Sequence, residues 1–247
     1  MSKPPRLYLD TPLAPGASVA ATEEQAHYLL HVMRKAAGDE VLLFNGRDGE
    51  WRATLSVPAK RRVQFELGAQ TRVQKPEPDL WLAFAPVKRI EVLAEKASEL
   101  GVSALLPVFT RHTDVTRVNI PRLAANAVEA AEQCERLTVP RVHDAVSFDA
   151  FLAAWPPARI LYVLDETGGG TAIAAALATS RPGAPCGFIA GPEGGFAQSE
   201  LDALRQVPFA RFVGLGPRIL RAETAVLAAV ACWQALVGDW SNKDPAT

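Results

Sequence analysis

Cysteine is scarce in this 247-residue chain, with three in all. Cys134, Cys186 and Cys232 are widely spaced, form no CxxC pair and are odd in number, so no disulfide framework is expected. A reducing cytoplasm is the compartment such usage fits. No apolar run is long enough to cross a bilayer, and the opening MSKPPRLYLD has no signal-peptide core, so the chain is expected to stay in the cytosol. A dominant charge is missing as well: the formal net charge is -1. There is no internal repeat and no low-complexity segment. A Walker loop and a GxGxxG fingerprint are both absent, which removes the commonest nucleotide-binding signatures.

What is present suffices for packed cores. Hydrophobic residues make up 49% of the chain and charged residues 21%, a globular rather than a disordered balance. The length suits one large or two small domains. The charge is uneven, about +3 over residues 1–75 and about -4 over the rest. Gln74-Lys75-Pro76-Glu77-Pro78-Asp79 reads as a linker, because two prolines in six residues suit neither a helix nor a central strand. The expected division is 1–73, linker 74–79, 80–240 and a tail 241–247.

The first part is expected to be a small β-barrel-like module with one helix. That helix should begin at Thr22, capped with the help of Gln25, and end at Gly38. A strand Val41–Phe44, a turn Asn45–Gly49 and a strand with Trp51, Ala53, Leu55 and Val57 alternating inward should follow. Lys60, Arg61 and Arg62 could contact phosphates or merely flank a turn. The second part alternates apolar strands (80–85, 103–108, 160–164, 186–190, 209–213) with helices (88–100, 121–137, about 200–205 after Ser199, and 221–237). That alternation implies an α/β fold with a parallel sheet whose ligand lies beyond the carboxyl ends of the strands.

Two segments carry chemistry. Gly191-Pro192-Glu193-Gly194-Gly195-Phe196 follows a buried strand, where three glycines let backbone amides approach a ligand. Leu215-Gly216-Pro217-Arg218-Ile219-Leu220-Arg221-Ala222-Glu223-Thr224-Ala225 follows another strand and opens the last helix, where amides and arginines attract anions. His27 and His31 have the spacing of HExxH, but Tyr28-Leu29-Leu30 lie between them and the glutamate is missing, so no metal is expected. Cys134 is expected to be packed rather than nucleophilic.

GPEGGF followed by LGPRILRAETA resembles the cofactor signature of the knotted SPOUT methyltransferases, and more narrowly of the bacterial enzymes that methylate N3 of a uridine in small-subunit (16S) ribosomal RNA. Lys96-Ala97-Ser98-Glu99-Leu100-Gly101-Val102, Glu129-Ala130-Ala131-Glu132-Gln133 with Arg136, and His31-Val32-Met33-Arg34 with Gly38-Asp39 extend the resemblance over nearly the whole chain. One departure is His112 after Arg111, where a small hydroxyl residue is expected.

The resemblance implies an α/β fold: a C-terminal knotted SPOUT-type parallel-sheet methyltransferase domain and a smaller N-terminal β-barrel, PUA-like, RNA-binding domain. It implies S-adenosylmethionine held by Leu164, Ala190, Gly191, Pro192, Glu193, Gly194 and Gly195, with Leu215, Gly216, Ile219, Leu220, Ala222, Thr224 and Ala225. It implies ribosomal RNA or the small subunit as partner, with contacts at Arg6, His31, Arg34, Lys60, Arg61, Arg62, Lys88 and Arg111, and a homodimer. Neither a membrane nor a metal is expected as a partner.

Uracil N3 is a poor nucleophile until its proton leaves, so the enzyme must stabilise the anion or supply a base. Arg221 and Arg136 are candidates to stabilise the anion. Glu223 and Glu132 are candidates to accept the proton or orient those arginines. A related enzyme acting on a ribose 2′-hydroxyl or on tRNA, and a non-catalytic RNA-binding assembly factor, are the alternatives.

Overall fold

The structure is a computed structural model, and it describes residues 3–59 and 62–241. The chain forms two compact units. The first comprises Met1–Pro76 with Ala131–Val139, the second Glu77–Ala130 with Pro140–Thr247.

The first unit is built on five strands, β1 (Arg6–Tyr8), β2 (Ser18–Ala20), β3 (Glu40–Phe44), β4 (Glu50–Ala59) and β5 (Arg62–Arg72), in the order β1-β3-β4-β5-β2. The alternation read from Trp51 onward is real: Trp51, Ala53 and Leu55 point into a core with Val41, Leu43, Phe65 and Leu67. β5 has no counterpart in the sequence reading, although it is the longest strand and pairs with both β4 and β2. Lys60 and Arg61 lie outside the described residues.

The helix of this unit is shorter than expected. Thr22 and Gln25 form the capping box, but α1 covers only Glu23–His27. A single π-turn over Tyr28–Val32 follows, and Arg34 then takes a left-handed conformation at φ 54°. The chain thus leaves the helix before Gly38, whose amide instead bonds the carbonyl of Leu55. A wider turn closed by Met33 N–H on the Tyr28 carbonyl displaces the regular ladder, and heptad-like patterning does not reveal it.

Arg6 organises the back of this unit. It is only 8% exposed, lies over the Phe44 ring at 3.9 Å and is ion-paired to the equally buried Glu50. Its remaining N–H groups donate to the Ala131 carbonyl at 2.8 Å and to the Arg136 carbonyl. Glu50 also accepts from Thr71 Oγ1 at 2.8 Å. An arginine so enclosed is not offered to a phosphate, so the expectation that Arg6 contacts RNA is corrected: it bonds the carbonyls of Ala131 and Arg136 and neutralises a buried carboxylate.

The second unit carries an eight-stranded sheet of β6 (Leu80–Phe84), β7 (Ala104–Phe109), β8 (Arg141–Val142), β9 (Val146–Ser147), β10 (Ile160–Leu164), β11 (Thr171–Ala172), β12 (Cys186–Ala190) and β13 (Ala210–Gly214). Its main path runs β11-β13-β10-β12-β6-β7-β8, with every pairing parallel. The helices are α2 (Ile90–Glu99), α3 (Ile120–Gln133), α4 (Phe148–Ala154), α5 (Ile173–Ala178), α6 (Gln198–Gln206) and α7 (Ala222–Leu236). The continuous apolar runs are explained by cores on both faces. Leu82, Phe84, Tyr162, Phe188 and Val213 pack toward residues of α2, α5 and α7, while Ala83, Leu161, Val163 and Ile189 pack toward residues of α4 and α6.

Two boundaries follow from single residues. Gly101 ends α2 at φ 85°, where a Cβ would strike the side-chain amide of Gln234. Helix α6 begins after Ala197, not at Ser199. Alanine has no acceptor, and Glu200 alone reaches back to the Ala197 amide at 2.8 Å. Cys134 is half-buried rather than fully packed. The helices α4 and α5, short and without strong periodicity, were not anticipated.

β13 enters between β10 and β11, both laid down earlier in the chain. The Asp165 amide bonds the Val213 carbonyl, so the loop after β10 is tied to the inserted strand. This order belongs to the parallel sheet of the SPOUT-type domain that the resemblance implies.

Replacing Arg6 with alanine removes the buried partner of Glu50, leaving it only the more distant Arg72 at 3.7 Å, and frees two carbonyls. We expect a loss of about 3–5 kcal/mol, as for breaking other buried ion pairs. Urea unfolding should report it, and Glu50→Gln should cost a comparable amount because it leaves the Arg6 guanidinium buried without its counter-charge.

Candidate active site

Parallel pairing places the carboxyl ends of β6, β7, β10, β12 and β13 along one edge. The loops 85–89, 110–119, 165–170, 191–197 and 215–221 therefore leave the sheet on one side. Three of them close a cleft made of two adjoining depressions of about 840 and 830 Å3, mouths included. Leu164, Asp165, Glu166, Ile219, Leu220 and Ala225 line both depressions.

The two segments singled out from the sequence meet here. Ala190, Gly191, Pro192, Glu193, Gly195 and Ala222 line the first depression, and Leu215 and Gly216 line the second. Gly194 and Thr224 line neither. The GPEGG turn closes with the Gly195 amide on the Pro192 carbonyl at 2.9 Å. Gly195 sits at φ 68°, and a Cβ there would collide with the Glu166 carboxylate. Gly216, at φ 98°, has nothing within 4 Å of its Cβ position, so the backbone stays open to the cleft.

The loop 165–168 was missed by sequence reasoning. Asp165 accepts from the Thr167 amide and hydroxyl, which bends the chain over the strand end. Glu166 lines both depressions and is exposed, yet no motif marks it. A carboxylate after a buried strand was the available signal. Phe196 and Leu201 add apolar wall, and Arg218 lines the second depression.

Arg221 caps α7 in extended conformation without a side-chain bond to the helix, and it lines the first depression. Glu223 lies in the first turn of α7. Among the described residues no ion pair joins the two, so the local Arg–Glu pair that the sequence allows does not form. The first amides of α7 have no intrahelical partner and give the cleft a positive end.

Glu132 and Arg136 belong to the first unit. Glu132 accepts from the Tyr8 amide at 2.8 Å, and Arg136 donates to Thr138 Oγ1 at 3.1 Å. The other expected contacts are dispersed. His31, Arg34 and Arg62 are exposed on the first unit, while Lys88 and Arg111 are exposed on loops at the carboxyl edge of the second. The His27 and His31 rings lie 4.9 Å apart. Among the described residues no group of three or more His, Cys, Asp or Glu could hold a metal ion. Nor is any helix long and apolar enough to cross a membrane.

The class follows from this geometry: a SPOUT-type parallel-sheet methyltransferase domain accompanied by a PUA-like module. A family model described as an RNA methyltransferase domain matches residues 74–234, and one described as an RNA methyltransferase PUA domain matches residues 21–68. The chain belongs to this RNA methyltransferase family.

Relatives agree. The chain is 32% identical over 229 residues to the ribosomal RNA small subunit methyltransferase E of Rickettsia conorii, covering 92% of this chain and 93% of that protein. It is 30% identical over 223 residues to the enzyme of the same name from Bacillus subtilis, covering 85% and 87%. Among solved structures, ribosomal RNA small subunit methyltransferase E from Neisseria gonorrhoeae, bound to S-adenosyl methionine, superposes with a TM-score of 0.86 at 28% identity, covering 96% of this chain and all of that one.

Gly195→Ala tests the cleft. A left-handed alanine costs about 1–2 kcal/mol, and its methyl must push Glu166 aside. We expect a modest fall in melting temperature and a loss of cofactor affinity of tenfold or more by calorimetry. Unchanged affinity would remove this turn from the binding site.

Proposed function

We propose that the chain methylates N3 of a specific uridine in small-subunit (16S) ribosomal RNA, with S-adenosylmethionine as methyl donor. The observation that carries this reading is the convergence of GPEGG, Leu215–Ala225 and loop 165–168 on one cleft. It is supported by full-length similarity to an enzyme crystallised with that cofactor. The residues fit such a molecule. Leu164, Ile219, Leu220 and Ala225 offer apolar walls, strand-end amides and carbonyls offer polar contacts, and Asp165 and Glu166 offer negative charge to a cationic ligand. When bound, it supplies an activated methyl group on a sulfonium.

The chain's own task is then positioning and charge. Arg221 stabilises the uracil anion, with Arg136 as a further candidate, because a guanidinium carries its charge without titrating and offers a planar fork to the carbonyls. Glu223 and Glu132 orient arginines or take up the proton. The target base must be unpaired or flipped out, since N3 lies on its pairing edge. The first unit holds RNA phosphates through Arg34, Arg62 and the neighbouring Lys60 and Arg61, while Lys88 and Arg111 hold RNA beside the cleft. We place the enzyme in the cytoplasm and acting as a homodimer. The dimer is supported by apolar side chains left open on a single chain, Ile219 at 87% exposure and Trp240 at 56%.

Arg221→Ala should cut single-turnover methylation about a hundredfold or more at saturating cofactor and RNA, while cofactor affinity changes far less. Arg221→Lys should be impaired as well. A rate equal to the parent's would pass the role to Arg136, and parallel loss of rate and affinity would make Arg221 a cofactor ligand.

Neutralising Arg34, Lys60, Arg61 and Arg62 together should weaken RNA binding and reduce the slope of log affinity against log salt by about three to four, one phosphate contact per charge. An unchanged slope would exclude these residues as phosphate contacts.

A further inference from the structure

The wall shared by the two depressions of the cleft carries charge of one sign only. Of the six residues that line both, Asp165 and Glu166 are the ionisable ones, and both are acids. The arginines stand apart, Arg221 in the first depression and Arg218 in the second, and neither lines both. Glu193 lines the first depression alone.

The two acids of the shared wall differ. Asp165 is engaged in its own turn, where Oδ1 accepts from the Thr167 amide at 2.9 Å and from the Thr167 hydroxyl at 2.6 Å. The Glu166 carboxylate is exposed and has no hydrogen bond or ion pair among the described residues. The loop that carries it is nonetheless fixed at both ends. Before it, the Asp165 amide bonds the Val213 carbonyl at 3.0 Å. Behind it, Gly170 lies so close to β13 that a Cβ would meet the Val213 backbone at 2.7 Å. On the GPEGG turn, Gly195 leaves the space: the Glu166 carboxylate occupies the place that a side chain there would fill.

A molecule that fills both depressions passes its middle along this wall. S-adenosylmethionine consists of an adenosyl and a methionyl part joined at the sulfonium, so its permanent positive charge is at its joint. Loss of the methyl group leaves S-adenosylhomocysteine, the same two parts joined by an uncharged thioether.

We propose that Glu166 reads the charge at the centre of the cofactor, so that the cleft holds the methyl donor more tightly than the demethylated product and releases the product. The inference rests on the reading of this cleft as the S-adenosylmethionine site, and it adds which residue tells donor from product. A carboxylate a few ångströms from a positive charge, in a cleft open to water, changes affinity by about tenfold or more, and a thioether gains none of that attraction.

Calorimetry on the full chain tests this with three ligands: S-adenosylmethionine, S-adenosylhomocysteine, and sinefungin, which carries an ammonium group beside the position of the sulfur. Glu166→Gln keeps the shape of the side chain and removes its charge, and Glu166→Asp keeps the charge on a shorter stem. The side chain has no partner to lose, so both variants should melt as the parent does. The parent should prefer S-adenosylmethionine over S-adenosylhomocysteine by about tenfold or more. Glu166→Gln should lose about tenfold in affinity for both charged ligands while binding S-adenosylhomocysteine within about twofold of the parent, so that the preference disappears. Glu166→Asp should retain part of it. A parent that binds none of the three ligands overturns the reading of the cleft itself, before any variant is measured. Given binding by the parent, three results overturn the role of Glu166: a parent without preference, a Glu166→Gln that keeps the parent's preference, or a Glu166→Gln that weakens donor and product alike, which would place the carboxylate against a part that the two share.

Discussion

The second unit depends on one strand being placed between two others. β13 completes its hydrogen bonds only by entering between β10 and β11, and through that entry the loop 165–170 and the loop 215–221 become neighbours. Composition alone does not shape either loop: 165–170 ends in three glycines, and 215–221 has one glycine, Gly216, before Pro217. Their shape is imposed by strands whose backbone groups would otherwise go unpaired in a buried sheet, at a cost that holds the arrangement closed. The cleft is the space left over when those obligations have been met.

A similar economy governs the first unit. Arg6 and Glu50 are both buried, and each would be costly alone. Together with Phe44, Thr71 and the carbonyls of Ala131 and Arg136 they form a satisfied network. A buried pair of this kind adds little net stability over a well-packed apolar core, but it admits few alternative arrangements. It fixes the register of β1 against the segment that bears Glu132 and Arg136, two residues drawn from a motif far along the chain.

Glu200 has the corresponding place beside the cleft. A helix-capping carboxylate ordinarily closes only its own first turn. Here the N-cap is alanine, and the second oxygen is spent on the Arg111 amide. The GPEGG turn and the loop after β7 thus share one anchor, and His112 is set against that turn from the other side. The departure of this chain from the expected small hydroxyl residue falls where a ring nitrogen can be oriented by backbone alone.

The sequence by itself determined the parallel α/β architecture and marked two of the loops that line the cleft, though not that residues 131–139 join the first unit. Apolar runs buried on both faces must lie inside a sheet, and GPEGG and LGPRILRAETA state their chemistry locally, through glycines after strands and an arginine at a helix start. Only the tertiary structure decided the rest. Glu166 joins the site because a strand end 25 residues before GPEGG is its neighbour in space, and nothing in its local sequence says so. Arg6 looks like a phosphate ligand in one dimension, and burial against Glu50 makes it a structural ion pair. The helix after Thr22 stops early because a wide turn and the left-handed Arg34 redirect the chain, a choice set by packing rather than propensity. The order of strands follows from pairings between distant segments, which a reading of local periodicity cannot contain.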